Sequence, residues 1–110
     1  MNDFTIDDLM TQMPHYVDAD ATQGVDKTIQ FEFTGDESGS YYLKVQDGTA
    51  ETHAGTADNP DVTIHTPSDL WKRIATGQEN GAVAFMMRKF TAEGELPVLM
   101  AMQNWFNIPS

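Results

Sequence analysis

The C-terminal segment 96–110 contains no charged side chain, although the chain has a formal net charge of -11. A helix on the surface of a soluble protein is apolar on one side only, because only that side leaves water. Here two sides of the helical wheel are apolar: one carries Leu96, Leu99 and Met100, the other Val98, Met102 and Trp105. The segment must therefore be covered on both sides, by the protein's own core, by a second chain or by a bound apolar molecule.

Length and composition narrow the classes of protein to which the chain can belong. Its 110 residues fit one domain, 1–110, with room for one core and one cavity. No apolar run approaches the roughly 20 residues of a membrane-spanning helix, and residues 1–4 lack the start of a signal peptide. We therefore expect a soluble, cytoplasmic protein. Seventeen acidic residues against six basic ones argue against nucleic-acid partners and against anionic membrane surfaces, because the net negative charge is repelled by both. We also expect no stable membrane insertion.

Alternating apolar and polar residues predict a sheet after an N-terminal helix over 3–13. Strands are predicted over 27–34, with Ile29, Phe31 and Phe33 inward and Gln30 outward, and over 40–46. Asp47-Gly48 predicts a two-residue hairpin turn, because both positions need positive φ. This turn fixes the register, so that Lys44 pairs with Glu51. The third strand offers only small residues inward, so a bulky group or a cavity lies above it.

The second half of the chain predicts two more strands and three helices. A strand over 61–65 leads into a helix capped by Thr66, which Gly77 ends. Asn80 caps a helix over 82–87, whose apolar side is predicted to comprise Val83, Met86 and Met87. A strand over 89–93 then precedes the uncharged helix.

No combination of residues specifies catalysis. The chain has no cysteine, which excludes disulfides and thiolate chemistry. His15, His53 and His65 form no metal-ligand spacing, and the acidic pairs lack a partner base. We therefore expect a non-enzymatic protein without a metal or other cofactor. Methionine and aromatic residues cluster in the last third of the chain, and methionine suits an irregular guest as well as an irregular core.

Several ordered segments resemble the sterol carrier protein type 2 family of small lipid-binding domains. They are IQFEFTG at 29–35, YLKVQDG at 42–48, NPDVTI at 59–64, DLW at 69–71, IATG at 74–77, AFM at 84–86, KFTAEG at 89–94 and MQNWF at 102–106. The resemblance covers residues 24–106 without a break. The chain departs from it at Arg88, where the family usually has glycine, and at Glu95, where it usually has aspartate.

The resemblance implies an α/β fold of the α+β type and an apolar ligand. The expected sheet has five mostly antiparallel strands in the order 3-2-1-4-5, covered on one face by helices, with an apolar tunnel between. This order separates His53 from His65 by about 14 Å, too far to share a metal. The tunnel would receive a lipid such as a fatty acid, an acyl chain or a sterol-like molecule. The ligand-binding residues that we expect are Phe31, Phe33, Leu43, Ile64, Trp71, Ile74, Phe85, Met86, Leu99, Met100, Met102 and Phe106.

Two other functions compete with that of a non-catalytic lipid carrier. In one, the chain associates with itself as a homodimer through the C-terminal helix, with Trp105 and Ile108 as exposed anchors. In the other, it is an accessory module that presents an apolar substrate to a separate enzyme.

Overall fold

A single five-stranded sheet with helices on one face organises the chain. The computed structural model describes residues 5–106. The strands are β1 Asp26–Thr34, β2 Gly39–Gln46, β3 Thr49–Ala54, β4 Val62–Pro67 and β5 Thr91–Gly94, in the order β3-β2-β1-β4-β5. The helices are α1 Ile6–Gln12, α2 Ser68–Ala75, α3 Gly81–Met86 and α4 Leu96–Ala101, with short 3-10 helices at Met13–Tyr16 and Met102–Asn104. Strands β1 and β4 pair in parallel and the other pairs are antiparallel, which confirms the predicted order and class.

The turn between β2 and β3 has the geometry that its sequence predicts. Asp47 and Gly48 both have positive φ, at 46° and 85°, and the strands pair with Val45 opposite Ala50 and Lys44 opposite Glu51. The hairpin register is therefore confirmed, because a two-residue turn of this type leaves only one alignment.

The space above the small residues of β3 is filled by the N-terminal segment. Met10 and Met13 are buried, and the Thr52 hydroxyl donates a hydrogen bond to the carbonyl oxygen of Met10 at 2.5 Å. Helix α1 begins at a capping box, in which Thr5 and Asp8 each accept a hydrogen bond from the other's backbone N–H. Of the two alternatives left open by the sequence, a bulky cover rather than a cavity occupies this position.

Gln30 departs from the predicted alternation, since it is buried rather than exposed. Its side-chain amide donates to the carbonyl oxygens of Tyr41 and Gly55, and its side-chain oxygen accepts from the Ala57 N–H at 2.8 Å. The loop after β3 thus covers the outer face of β1 here. Hydrogen bonding satisfies the amide, so its burial does not carry the usual desolvation penalty.

Several element boundaries differ from the prediction. Strand β4 extends to Pro67, so the predicted helix cap at Thr66 is wrong: Thr66 lies in the strand, and its hydroxyl donates to the Pro67 carbonyl. Strand β5 begins at Thr91 instead of residue 89. Helix α3 begins one residue earlier than predicted, at Gly81, and is capped by Asn80 through the Val83 N–H as expected. The predicted residues 3 and 4 of the first helix lie outside the described part.

The structure explains the departure at Arg88. Its φ is 60°, a left-handed conformation that favours glycine. The Lys89 N–H donates to the Ala84 carbonyl and the Arg88 N–H to the Phe85 carbonyl, the two hydrogen bonds of a Schellman motif that ends α3. The motif forms without glycine, at the cost of backbone strain.

We predict that Arg88→Gly stabilises the protein, because glycine adopts this φ without a steric penalty. The expected gain in the free energy of unfolding is between about 0.5 and 1 kcal/mol, after the larger entropy loss of glycine on folding. Urea denaturation measures it. Met87→Gly is the matched control, since Met87 is exposed and has a negative φ of -85°, and it should destabilise. A loss of stability in both variants would contradict this account.

Glu37 connects three elements. Its carboxylate accepts a hydrogen bond from the Ile6 N–H at 2.6 Å, at the start of α1, and forms an ion pair with Lys72 in α2. The Lys72 hydrogen bond, followed by the one from Ile6, holds the pKa of Glu37 below its ordinary value. The loop between β1 and β2 therefore fixes α1 against α2.

Glu37→Gln should destabilise the protein in a pH-dependent way. A carboxyl group whose pKa is lowered by folding stabilises the folded state above its unfolded pKa of roughly 4.3, and this contribution is lost as the pH falls through the folded pKa. The difference in unfolding free energy between native protein and variant should thus be present at neutral pH and shrink below about pH 4. Asp36→Asn changes an exposed side chain in the same loop and should not show this pH-dependent loss of stability. A pH-independent difference for Glu37→Gln would exclude the ionic contribution.

Candidate functional site

A half-open cavity of about 320 Å³ lies between α2, α3 and the C-terminal segment. Its lining is drawn mainly from these elements and also includes Met13, which follows α1. The lining residues are Met13, Trp71, Ile74, Ala75, Gly77, Gly81, Ala82, Phe85, Phe90, Leu99, Met100, Met102, Gln103 and Phe106. No strand residue is among them, so this cavity lies among the helical segments and not between the sheet and the helices, where the resemblance implies a tunnel.

The chemistry of the cavity is apolar and uncharged. None of the fourteen lining residues is acidic or basic, in a chain that contains 23 charged residues. Gln103 and Trp71 are the lining residues whose side chains contain a nitrogen or oxygen atom. A guest in this cavity would bury apolar surface and meet no counter-ion, which suits a hydrocarbon and disfavours an ionised group.

Trp71 is the lining residue with an unused hydrogen-bonding group. Its side chain is buried and packs against Phe31, with ring centroids 5.0 Å apart. The Nε1 atom is enclosed and is the one buried side-chain nitrogen or oxygen in residues 5–106 without a hydrogen-bond partner. An unsatisfied buried donor of this kind costs roughly 1–3 kcal/mol.

The C-terminal segment is attached to the chain through backbone hydrogen bonds and buried side chains. The Asp18 N–H donates to the Trp105 carbonyl at 2.7 Å, and Val17 forms a β-bridge with Phe106. Val98, Met102 and Trp105 are buried within the chain's own core. This settles how their side of the helix is covered, and it contradicts the expectation that Trp105 is an exposed anchor; Ile108 lies outside the described residues.

The opposite side of α4 faces the cavity in part. Leu99 and Met100 line it, whereas Leu96 is partly exposed and is not among the lining residues. The described part of the segment is therefore apolar on two sides for two reasons: Val98 and Trp105 pack in the core, whereas Leu99 and Met100 form part of the cavity wall, to which Met102 also contributes.

The twelve residues predicted to bind a ligand fall into three groups. Seven line the cavity: Trp71, Ile74, Phe85, Leu99, Met100, Met102 and Phe106. Four from the sheet, namely Phe31, Phe33, Leu43 and Ile64, are buried in the core outside the lining. Met86 is 80% exposed, because α3 turns Ala82 and Phe85 inward. The predicted apolar side of this helix, Val83 with Met86 and Met87, faces solvent instead.

Sequence reasoning missed the small residues that create the space. Ala75, Gly77, Gly81 and Ala82 line the cavity where α2 ends and α3 begins. A Cβ on Gly81 would lie 3.3 Å from Cγ2 of Ile74, so the helices approach closely at this point. The small residues at the end of one helix and the start of the next were the available signal.

One ion cluster is formed by residues that neighbour the lining residues in the sequence. The Glu79 carboxylate accepts from Lys89 Nζ at 2.7 Å and from Arg73 Nε at 3.1 Å. These hydrogen bonds, with that of Lys89 contributing most, hold the pKa of Glu79 below its ordinary value. The cluster joins the loop between α2 and α3 to the start of the β5 region. Across residues 5–106, no three His, Asp or Glu side chains are grouped as metal ligands would be, and no helix there is long and apolar enough to cross a membrane.

Comparison with protein families decides the classification. The model of the SCP-2 sterol transfer family matches residues 6–107. This chain belongs to that family. The resemblance inferred from the sequence segments is therefore confirmed, and the family suggests binding or transfer of apolar lipids. A search of curated proteins finds no match.

Solved structures share the fold at low sequence identity. The stereoselective inverting sec-alkylsulfatase Pisa1 from Pseudomonas sp. is 19% identical, with a TM-score of 0.84 over 97% of this chain and 17% of that chain. Palmitated SCP2L2 from Aedes aegypti is 17% identical, with a TM-score of 0.69 over 94% of each chain. Sterol carrier protein 2 from Yarrowia lipolytica, in its apo form, is 17% identical, with a TM-score of 0.63 over 81% of this chain and 76% of that one.

These likenesses show the fold and two settings in which it occurs. The chain spans most of the length of the two carrier proteins but only 17% of the sulfatase. The same fold is thus found both as a small carrier protein and as one part of a larger enzyme.

Proposed function

We propose that this SCP-2 family protein is a non-catalytic carrier that binds a lipid chain in the cavity between α2, α3 and α4. The uncharged, methionine-rich and aromatic lining carries this proposal. Palmitated SCP2L2, a protein of the same fold, supports a fatty acyl chain as the type of ligand.

The size of the cavity sets the affinity that burial can supply. A methylene group is taken to need a volume of roughly 30 Å³, the volume of a water molecule in the liquid. The cavity of 320 Å³ then holds on the order of ten methylene groups. Each contributes roughly 0.8 kcal/mol on leaving water, so ten give about 8 kcal/mol before the entropy cost of ordering the chain. That is in the range of micromolar binding or weaker, as a carrier that must release its cargo requires.

Filling the cavity should weaken binding. Ala82→Phe places a large side chain into the lining and should lower the affinity for dodecanoic acid at least about tenfold, since several methylenes lose their place. Isothermal titration calorimetry measures the effect. Val83→Phe is the matched control, because Val83 is the next residue along α3 and is exposed. Equal affinity in Ala82→Phe and native protein would refute binding in this cavity.

The affinity should also depend on chain length in a limited range. For saturated fatty acids of increasing length, each added methylene should tighten binding about fourfold, from ~0.8 kcal/mol per group. The increments should diminish once about ten carbons are buried, when the cavity is full. Titrations below the micelle concentration test this. An affinity that does not change with length would contradict apolar burial as the source of binding.

Trp71 is proposed to give the site its one buried directional contact. A ligand oxygen that accepts from Nε1 would offset the cost of the unpaired donor, once the flexible methionine side chains of the lining move to admit it. Trp71→Phe should therefore weaken the binding of dodecanol more than the binding of dodecane. Competition with a fluorescent fatty acid measures both affinities. An equal effect on both ligands would assign Trp71 to packing alone.

An accessory role is the second candidate function, favoured by the likeness to one part of the sulfatase. In this role the protein presents an apolar substrate to a separate catalytic protein. To test this role, an enzyme that co-purifies with the protein is first identified. Its reaction rate is then measured with the native protein or the Ala82→Phe variant added. Stimulation by the native protein alone is expected; equal rates with both would exclude delivery from the cavity.

A further inference from the structure

Charge is distributed unevenly along the chain. Four of the six Lys and Arg residues lie in 72–89, where Glu79 is the one carboxylate, so this stretch has a net charge of +3 and the remainder of the chain -14. Lys72 is paired with Glu37. Arg73 and Lys89 share the Glu79 carboxylate, and Arg88 precedes Lys89 in the chain. These three cations and one carboxylate form a basic cluster with a net charge of +2 on an otherwise acidic protein.

The same region presents apolar side chains to solvent. Val83, Met86 and Met87 are 50%, 80% and 63% exposed; these three residues are called the methionine face. They are spaced i, i+3 and i+4 and therefore lie on one side of α3. Arg88 and Lys89 follow them directly in the chain, so apolar and basic groups adjoin.

We propose that the methionine face, with Arg88 and Lys89, docks the protein on an anionic lipid surface. Protruding apolar side chains beside cations are the combination that binds at the interface of a membrane, where the apolar groups reach the acyl boundary and the cations meet the head groups. The high net negative charge elsewhere keeps the remaining surface away from the membrane. The contact is therefore peripheral and oriented.

Charge also disfavours a second copy of the chain as the occupant. A two-fold symmetric dimer through this face would place two equal basic clusters against each other.

The outward position of the face has a consequence for lipid exchange, because Ala82 and Phe85 on the inner side of the same helix line the cavity. Docking through α3 sets the cavity wall against the lipid. This inference goes beyond the proposed function, and the docking does not require an occupied cavity.

The experiment is co-sedimentation of the full chain with vesicles of phosphatidylcholine and phosphatidylglycerol, compared with vesicles of phosphatidylcholine alone. Binding to the anionic vesicles is expected to be stronger and to weaken with salt. Arg88→Gln should lower the partition coefficient about fivefold, as expected for one cation at the surface. Met86→Ser should lower it roughly tenfold or more, through lost apolar burial.

Two variants outside the face serve as controls. Lys44→Gln removes an equal charge from an exposed position in β2, and Leu96→Ser removes a partly exposed apolar side chain from α4; both should leave vesicle binding unchanged. The proposal is overturned if anionic and zwitterionic vesicles bind equally, if neither binds, or if the controls lose as much binding as Met86→Ser. It is also overturned if light scattering without lipid shows a dimer that Met86→Ser dissociates.

Discussion

The burial of one side of the C-terminal segment in the chain's own core is the constraint on which the cavity depends. Val98 and Trp105 pack in the core, and the Trp105 carbonyl accepts from the Asp18 N–H. This fixes α4 with Leu99 and Met100 directed toward α2 and α3. Both neighbouring helices end or begin in small residues at this point, so space remains where three helical segments meet. The absence of charge in residues 96–106, the described part of this segment, thus suits two environments, a core and an apolar cavity.

The sheet was predictable from the sequence because its signals are local. The Asp47-Gly48 turn admits one register, and strict alternation decides which side of each strand is buried. Gln30 was missed because a loop from elsewhere covers it, which is a tertiary contact that no alternation reports. The Schellman turn at Arg88 was also hidden, since an arginine carries no signal for positive φ.

The site was harder to predict than the fold for a physical reason. Core packing and cavity lining require the same apolar residue types, so Phe31 and Phe33 could not be separated from Trp71 and Ile74 on composition. Helix α3 has only six residues, too few for periodicity to decide which side faces inward, and Met86 was placed on the wrong side. The small residues indicate the site, because a cavity forms where side chains are too small to fill the space between helices.

We place the lipid chain in the space between α2, α3 and α4. A crystal structure of the complex with a fatty acid brominated at its terminal carbon is the decisive measurement, because anomalous scattering locates the bromine without reference to the protein. We expect a bromine site within the cavity, in contact with residues such as Ile74 and Leu99. A bromine found between the sheet and the helices at Phe31 or Leu43, or only on the exterior of the protein, would contradict it.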